Sequence, residues 1–272
     1  GSGGSGQRWK QRPQAGVVLV LQSDQLSVSN DNGHTVQSMG TAMPVSLSSP
    51  KLRASEATNP PTVYVIGKNG NDTELWRTVD GGMTWDMRRT IINYWGPCQV
   101  SITDPDMVAW GEVDCFVTYN GGISAHRVNN WYDYYSNPAG MLHADIQGLN
   151  CFSDPNSPSG EVWYIGTDGG VYESLDQLNT VNNLSLSDLG VSQYYTTLTS
   201  LRRPELVVAG SQDQGWQRAE LGAPPVGGGS WADFDQLISG DYGHASSANG
   251  THDLVFSPSP CFLFIHDAEA TP

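Results

Sequence analysis

Two eight-residue segments constrain this chain more than any count of its residues. Ser29-Asn30-Asp31-Asn32-Gly33-His34-Thr35-Val36 and Thr78-Val79-Asp80-Gly81-Gly82-Met83-Thr84-Trp85 repeat one order: hydroxyl, any residue, Asp, any residue, Gly, any residue, Thr, then a bulky apolar side chain. Glycine supplies a positive φ that a Cβ would resist. The hydroxyl and the carboxylate accept hydrogen bonds from turn N–H groups that would otherwise go unpaired. Trp85 can then fold back between sheets. Ser29, Asp31, Gly33, Thr35, Thr78, Asp80, Gly82, Thr84 and Trp85 are therefore read as turn builders, not as chemistry.

The spacing of these turns sets the architecture. Their starts lie 49 positions apart, and reduced copies follow at Thr118-Tyr119-Asn120-Gly121-Gly122 and Ser174-Leu175-Asp176. Between them run short β-branched or aromatic segments such as Val63-Tyr64-Val65-Ile66 and Val162-Trp163-Tyr164-Ile165, each ending in turn residues. No stretch keeps a helical period without a Gly or Pro breaking it. The chain is all-β, and a period of about 40–50 residues predicts a β-propeller of four-stranded antiparallel blades. About five to seven blades are expected from residues 16–272, with residues 1–15 read as a linker and N-terminal arm. Unpaired sheet edges would need closing, by terminal strands sharing a blade or by another chain completing the propeller.

The repeated turn resembles the Asp-box, or BNR, repeat of β-propellers. A second series is similar to the sortilin/xyloglucanase-like set of secreted bacterial propellers. It runs through Met141 to Gln147, Gly166 to Ser174, Val191 to Tyr195, Gly210-Ser211-Gln212-Asp213-Gln214-Gly215 and Ser239-Gly240-Asp241-Tyr242-Gly243. The resemblance implies a fold more than an activity, because sialidases, sortilin-type receptors, xyloglucanases and photosystem assembly factors all carry such turns. Sialidase chemistry needs three arginines around a substrate carboxylate. The arginines here fall instead mainly in the pairs Arg8/Arg12, Arg88/Arg89 and Arg202/Arg203, which excludes it.

Charge removes further classes. With 13 Lys and Arg against 28 Asp and Glu, the net charge of −15 excludes a phosphate-backbone partner. No apolar run approaches the roughly 18 residues of a membrane span. Lysine occurs only at positions 10, 51 and 68, and the surface segments are crowded with Asp, Asn, Ser and Thr, which suits a secreted or cell-surface protein. Of the four cysteines, Cys98 and Cys115 are close enough in sequence for a disulfide between neighbouring strands; buried free thiols are the alternative.

Four aspartates stand apart from the turn builders. Asp168, Asp213 and Asp241 follow strands or glycines, and with Asp145 they form the candidate catalytic group, ringing one mouth of the propeller. Gathered carboxylates repel, which raises some pKa values or recruits a cation, so Asp168, Asp213 and Asp241 are also candidate calcium ligands; no cofactor is certain. Tyr94, Trp95, Trp131 and Tyr132 are candidate sugar platforms, and His143 and Gln212 complete the ligand-binding set. His143-Ala144-Asp145 would put His and Asp on one face of a strand. Three functions fit. First is a non-catalytic extracellular or cell-surface module binding a protein or polysaccharide. Second is a xyloglucanase-like glycoside hydrolase using paired channel aspartates. Third is an architectural subunit of a surface assembly.

Overall fold

The computed structural model describes residues 8–11, 16–92, 94, 96–186, 192–220, 222, 234–238, 240–241, 244–247, 251–258 and 263–267. Its strands form six antiparallel sheets strictly in chain order. The first holds β1 (Arg8–Gln11), β2 (Val18–Gln22), β3 (Gln25–Ser29) and β4 (Gln37–Ser38). The second holds β5 (Ser48–Ser55), β6 (Thr62–Asn69), β7 (Asp72–Thr78) and β8 (Asp86–Ile91). The third holds β9 (Cys98–Val100), β10 (Val108–Gly111), β11 (Cys115–Thr118) and β12 (His126–Arg127). In the fourth are β13 (Ile146–Ser153), β14 (Glu161–Thr167), β15 (Gly170–Ser174) and β16 (Asn182–Asn183). In the fifth are β17 (Tyr194–Thr199), β18 (Leu206–Ser211), β19 (Gly215–Glu220) and β20 (Asp235–Ile238). The sixth has three strands among the described residues, β21 (Ser246–Ser247), β22 (Leu254–Pro258) and β23 (Leu263–Asp267).

This is a β-propeller. The first strands of successive sheets lie side by side, β1 by β5, β5 by β9 and β9 by β13. Alternating strand direction then puts every second-to-third turn, and every link between sheets, on one face, here called upper. The first-to-second and third-to-fourth turns fall on the lower face. Arg8–Gln11, which the sequence reading left in an N-terminal arm, pairs with β2 as the first strand of the first sheet. Among the described residues the terminal strands do not share a blade, because β1 and β23 belong to separate sheets.

Apolar runs are continuous where a sheet is covered on both faces. In β6, Val63 and Val65 join Leu19, Leu21 and Leu26 of the first sheet. The alternate residues Tyr64 and Ile66 join Val108 and Trp110 of the third. A third cluster packs Ala109, Cys115 and Val117 against Leu149, Trp163 and Ile165 of the fourth sheet, and a fourth packs Val208 and Trp216 against Val255 of the sixth. Burying each such side chain is worth about 1.5–3 kcal/mol.

The Cys98–Cys115 disulfide is not formed: Cys98, Cys115 and Cys151 are free and buried. The two strands are not neighbours, since β10 lies between them, with Trp110 opposite Cys98 and Gly111 opposite Cys115. Two strand spacings separate the thiols by about 10 Å. Adjacent positions on β10 also face opposite sides, so Cys98 enters the cluster shared with the second sheet and Cys115 the one shared with the fourth. Cys261 lies outside the described residues.

Candidate functional site

Four turns on the lower face share one hydrogen-bond pattern. Ser29 Oγ donates to Asp31 Oδ1 at 2.7 Å, Gly33 N donates to Ser29 Oγ at 2.8 Å, and Thr35 N and Oγ1 donate to the Asp31 carboxylate at 2.8 and 2.7 Å. Thr78, Asp80, Gly82 and Thr84 repeat it, with Thr84 Oγ1 2.7 Å from Asp80 Oδ2. Those bonds from Thr84 and Thr78 hold the Asp80 carboxyl down at about 2, and the equivalent bonds hold Asp31 below the usual range. Asn120 replaces Asp in the third copy and still accepts from Ser124 N at 2.9 Å. Asp176 serves in the fourth, where Leu178 takes the glycine position at φ 68°. These aspartates are fully occupied with turn donors.

The candidate aspartates Asp145, Asp168, Asp213 and Asp241 lie on the upper face, at the seam between the fourth and fifth sheets. Apolar clusters join the first sheet to the second, the second to the third, the third to the fourth and the fifth to the sixth. Among the described residues this seam is polar and aromatic instead. No residue of β17 is fully buried, and Tyr194 and Tyr195 are partly open. Asp168 comes from the β14–β15 turn and Asp213 from the β18–β19 turn. Asp145 ends the link into β13, and Asp241 lies in the link after β20.

Each carboxylate is positioned by its surroundings. Gln147 Nε2 donates to Asp168 Oδ1 at 3.0 Å. The Asp213 amide donates to Asp241 Oδ1 at 2.9 Å, and Gln214 bridges Gly240 in parallel. Asp145 and Asp213 both adopt left-handed φ, 64° and 61°, which Asp tolerates better than most residues. Burial raises the Asp213 carboxyl to about 7, helped by the charges of Asp241, Asp168 and Asp145. Burial also raises Asp145, with the Asp168 charge adding to it.

His143 sits behind this group with its side chain 5% exposed. Its Nδ1 lies 3.1 Å from Ala144 O, which makes Nδ1 the protonated nitrogen. Nε2 then points at Asp213 Oδ1 across 3.9 Å. The ring stands edge-on to Tyr134 at 4.7 Å, and the His143 amide donates to Tyr172 Oη at 3.2 Å. Burial lowers its pKa, against the raising effect of Ala144 O and of Asp145, Asp168 and Asp241. The sequence reading placed His143 and Asp145 on one strand face. They lie in a link instead, where the left-handed Asp145 breaks the alternation and the imidazole turns to Asp213.

The aromatic candidates divide. A short 3₁₀ turn, Trp131–Ser136, carries Trp131 and Tyr132, which are 40% and 56% exposed, beside buried Tyr134. Trp131 meets both Tyr132 and Tyr135 edge-on, at 5.9 and 6.0 Å. Asp114 Oδ1 anchors the turn by accepting from Trp131 N at 2.8 Å. Tyr94 is elsewhere, packed on the Cys98, Trp110 and Ile91 cluster, and Trp95 lies outside the described residues. Gln212 flanks Asp213, its Oε1 accepting from Tyr195 Oη at 2.6 Å. The sequence reading missed Gln147 and Tyr195 as supports, and Gly169, where a Cβ would come within 2.5 Å of the His143 side chain. Only the turn setting of Gly169 signals that close approach.

Calcium is not given a ligand set by this geometry: among the described residues, no three His, Cys, Asp or Glu side chains are arranged to hold a metal ion.

No family model matches the chain, and no curated protein matches it. Solved structures are similar in fold. A GH74 enzyme from Niastella koreensis aligns at 11% identity and TM-score 0.44, over 97% of this chain and 37% of its own length. The GH74 xyloglucanase from Xanthomonas campestris aligns at 9% identity and TM-score 0.42, over 94% of this chain and 51% of its own. YCF48 from Cyanidioschyzon merolae aligns at 12% identity and TM-score 0.36, over 96% of this chain and 95% of its own. The chain thus spans about a third to a half of the two GH74 proteins.

Proposed function

We propose that this chain is a secreted or cell-surface Asp-box propeller, of the sortilin/xyloglucanase-like kind, that binds a polysaccharide at the seam between its fourth and fifth sheets. One observation carries the reading: exposed Trp131 packs edge-on against Tyr135, whose ring meets His143, and His143 in turn faces Asp213 on the upper face. Ring faces stack on the apolar faces of sugars, while carboxylates accept from their hydroxyls. A protein ligand, or another chain completing the propeller, is the competing occupant.

Hydrolysis is the second reading, favoured by a specific observation. Asp213, raised to about 7, keeps a proton to donate near neutral pH, with Asp168 or Asp241 as the second carboxylate. A polysaccharide screen for binding and for released oligosaccharide, with and without calcium, tests both. Binding lost in Trp131→Ala and turnover lost in Asp213→Asn support hydrolysis; binding without turnover leaves a binding module. Silence on every sugar overturns the glycan reading and points to protein partners.

A further inference from the structure

Asparagine is followed by glycine at Asn32, Asn69, Asn120 and Asn249. Such a pair holds its own electrophile and nucleophile. The glycine backbone nitrogen can attack the Asn Cγ, and no side chain on the glycine stands in the way. The N–Cγ bond forms as the Cγ–Nδ2 bond breaks, and the glycine amide proton leaves with the NH2 group as ammonia. Water then opens the five-membered succinimide, giving aspartate, or isoaspartate when the backbone carbonyl is the carbon attacked. The reaction needs a glycine N–H that no acceptor holds and an Asn side chain free to swing over it.

The three described pairs differ in both respects. Gly33 N donates to Ser29 Oγ at 2.8 Å, and the preceding Asn32 amide is tied to Gly16 O at 2.9 Å. Gly121 N donates to Asp106 O at 2.8 Å. The Asn120 side chain is clamped as well: Oδ1 accepts from Thr118 Oγ1 and Ser124 N, both at 2.9 Å, and Nδ2 donates to Ser124 Oγ at 2.7 Å. The bonds that build these turns thus shield their asparagines.

Asn69 has no such protection. It ends β6 and pairs with Asp72 at the start of β7, leaving Gly70 and Asn71 as a two-residue turn. All three of Asn69, Gly70 and Asn71 are exposed. Among the described residues no acceptor takes the Gly70 N–H, and a Cβ placed on Gly70 would meet nothing within 4 Å. One exposed hydrogen bond holds the side chain, from Asn69 Nδ2 to Glu74 Oε1 at 3.1 Å.

We propose that Asn69 is a self-modification site, deamidating while the pairs at Asn32 and Asn120 stay intact. The product sets a carboxylate where Nδ2 had donated to Glu74, whose other oxygen accepts from Trp76 Nε1 at 2.8 Å. An attractive contact becomes a repulsive one, and the net charge of −15 becomes one unit more negative. Isoaspartate also threads a Cβ into the backbone of a turn whose length fixes the register of β6 on β7.

The test ages the purified chain in mildly alkaline buffer at body temperature. Peptide mapping by mass spectrometry then follows the gain of about 1 Da at each pair. The Asn69 peptide should convert roughly tenfold or more faster than those of Asn32 and Asn120. In denaturant, where local bonding is gone, the three rates should converge. Ser29→Ala, aged well below its melting temperature, releases the Gly33 amide and should speed conversion at Asn32. Equal rates at the three sites in the folded chain overturn the proposal, as does slowing of Asn69 on folding by the same factor as the others. An unchanged Asn32 rate in Ser29→Ala overturns the role given to the glycine N–H. Asn249 lies outside the described residues, and its peptide is scored apart.

Discussion

Asp213 carries a folding cost that its neighbours impose. Its carboxyl is raised to about 7 by burial and by three like charges, so the folded chain holds a proton that the unfolded chain has already released. A raised acid favours folding below its unfolded pKa of about 3.9, and that advantage is lost as pH rises through the folded value. Asp213→Asn should therefore match the wild type near pH 4 and exceed it near pH 8. Allowing for solvent screening, the gain is roughly 1–2 kcal/mol. Denaturant unfolding at the two pH values measures it. An equal effect at both would mean that packing, not ionisation, is what the substitution alters. The turn and link positions of the four aspartates were legible in the sequence because each stands beside glycine or a strand end. The direction of His143 was not, because the left-handed turn at Asp145 leaves no periodic trace.

The turns and pins between sheets show what residue order reveals about an element. Ser/Thr-x-Asp-x-Gly-x-Thr was readable because the bonds among its hydroxyls, carboxylate and glycine amide are local, spanning at most four residues. Asp80→Ala should lower the melting temperature at pH 7. A depressed carboxyl adds stability above its unfolded pKa and loses it as pH falls through the folded value. The difference should therefore shrink as pH drops from about 4 towards about 2. Glu161 shows the opposite case. Burial alone would raise it, but hydrogen bonds from Trp163, Ser101, Cys151 and Thr103 together bring it below its ordinary value. Only Trp163 is a near neighbour; Cys151 lies 10 residues away and Ser101 and Ile102 about 60, so the chain around Glu161 does not announce its role. Glu161→Ala leaves those donors buried and unpaired between the third and fourth sheets, and should cost roughly 2–4 kcal/mol in equilibrium unfolding. A loss under about 1 kcal/mol would show that water replaces the carboxylate. The disulfide failed for a related reason: sequence distance placed Cys98 and Cys115 near each other, but only the register reveals β10 between them.

At the scale of the molecule, the net charge of −15 works on folding and binding with opposite signs. Self-repulsion weakens the compact state, and salt screens it over a Debye length of about 30 Å at 0.01 M but about 10 Å at 0.1 M. Melting temperature should therefore rise as salt is added across that range. The same field draws cationic ligands from a distance, so the association rate of any cationic ligand should fall over the same interval. Dissociation depends on short-range contacts and should change far less. Acidic polysaccharides meet the field with the wrong sign and should not bind at any salt concentration. Stopped-flow or biosensor kinetics at several salt concentrations, alongside melting curves on the same samples, separates the two effects. An association rate indifferent to salt, with melting still salt-dependent, would confine the attraction to the seam and leave the remaining charge as a cost to folding alone.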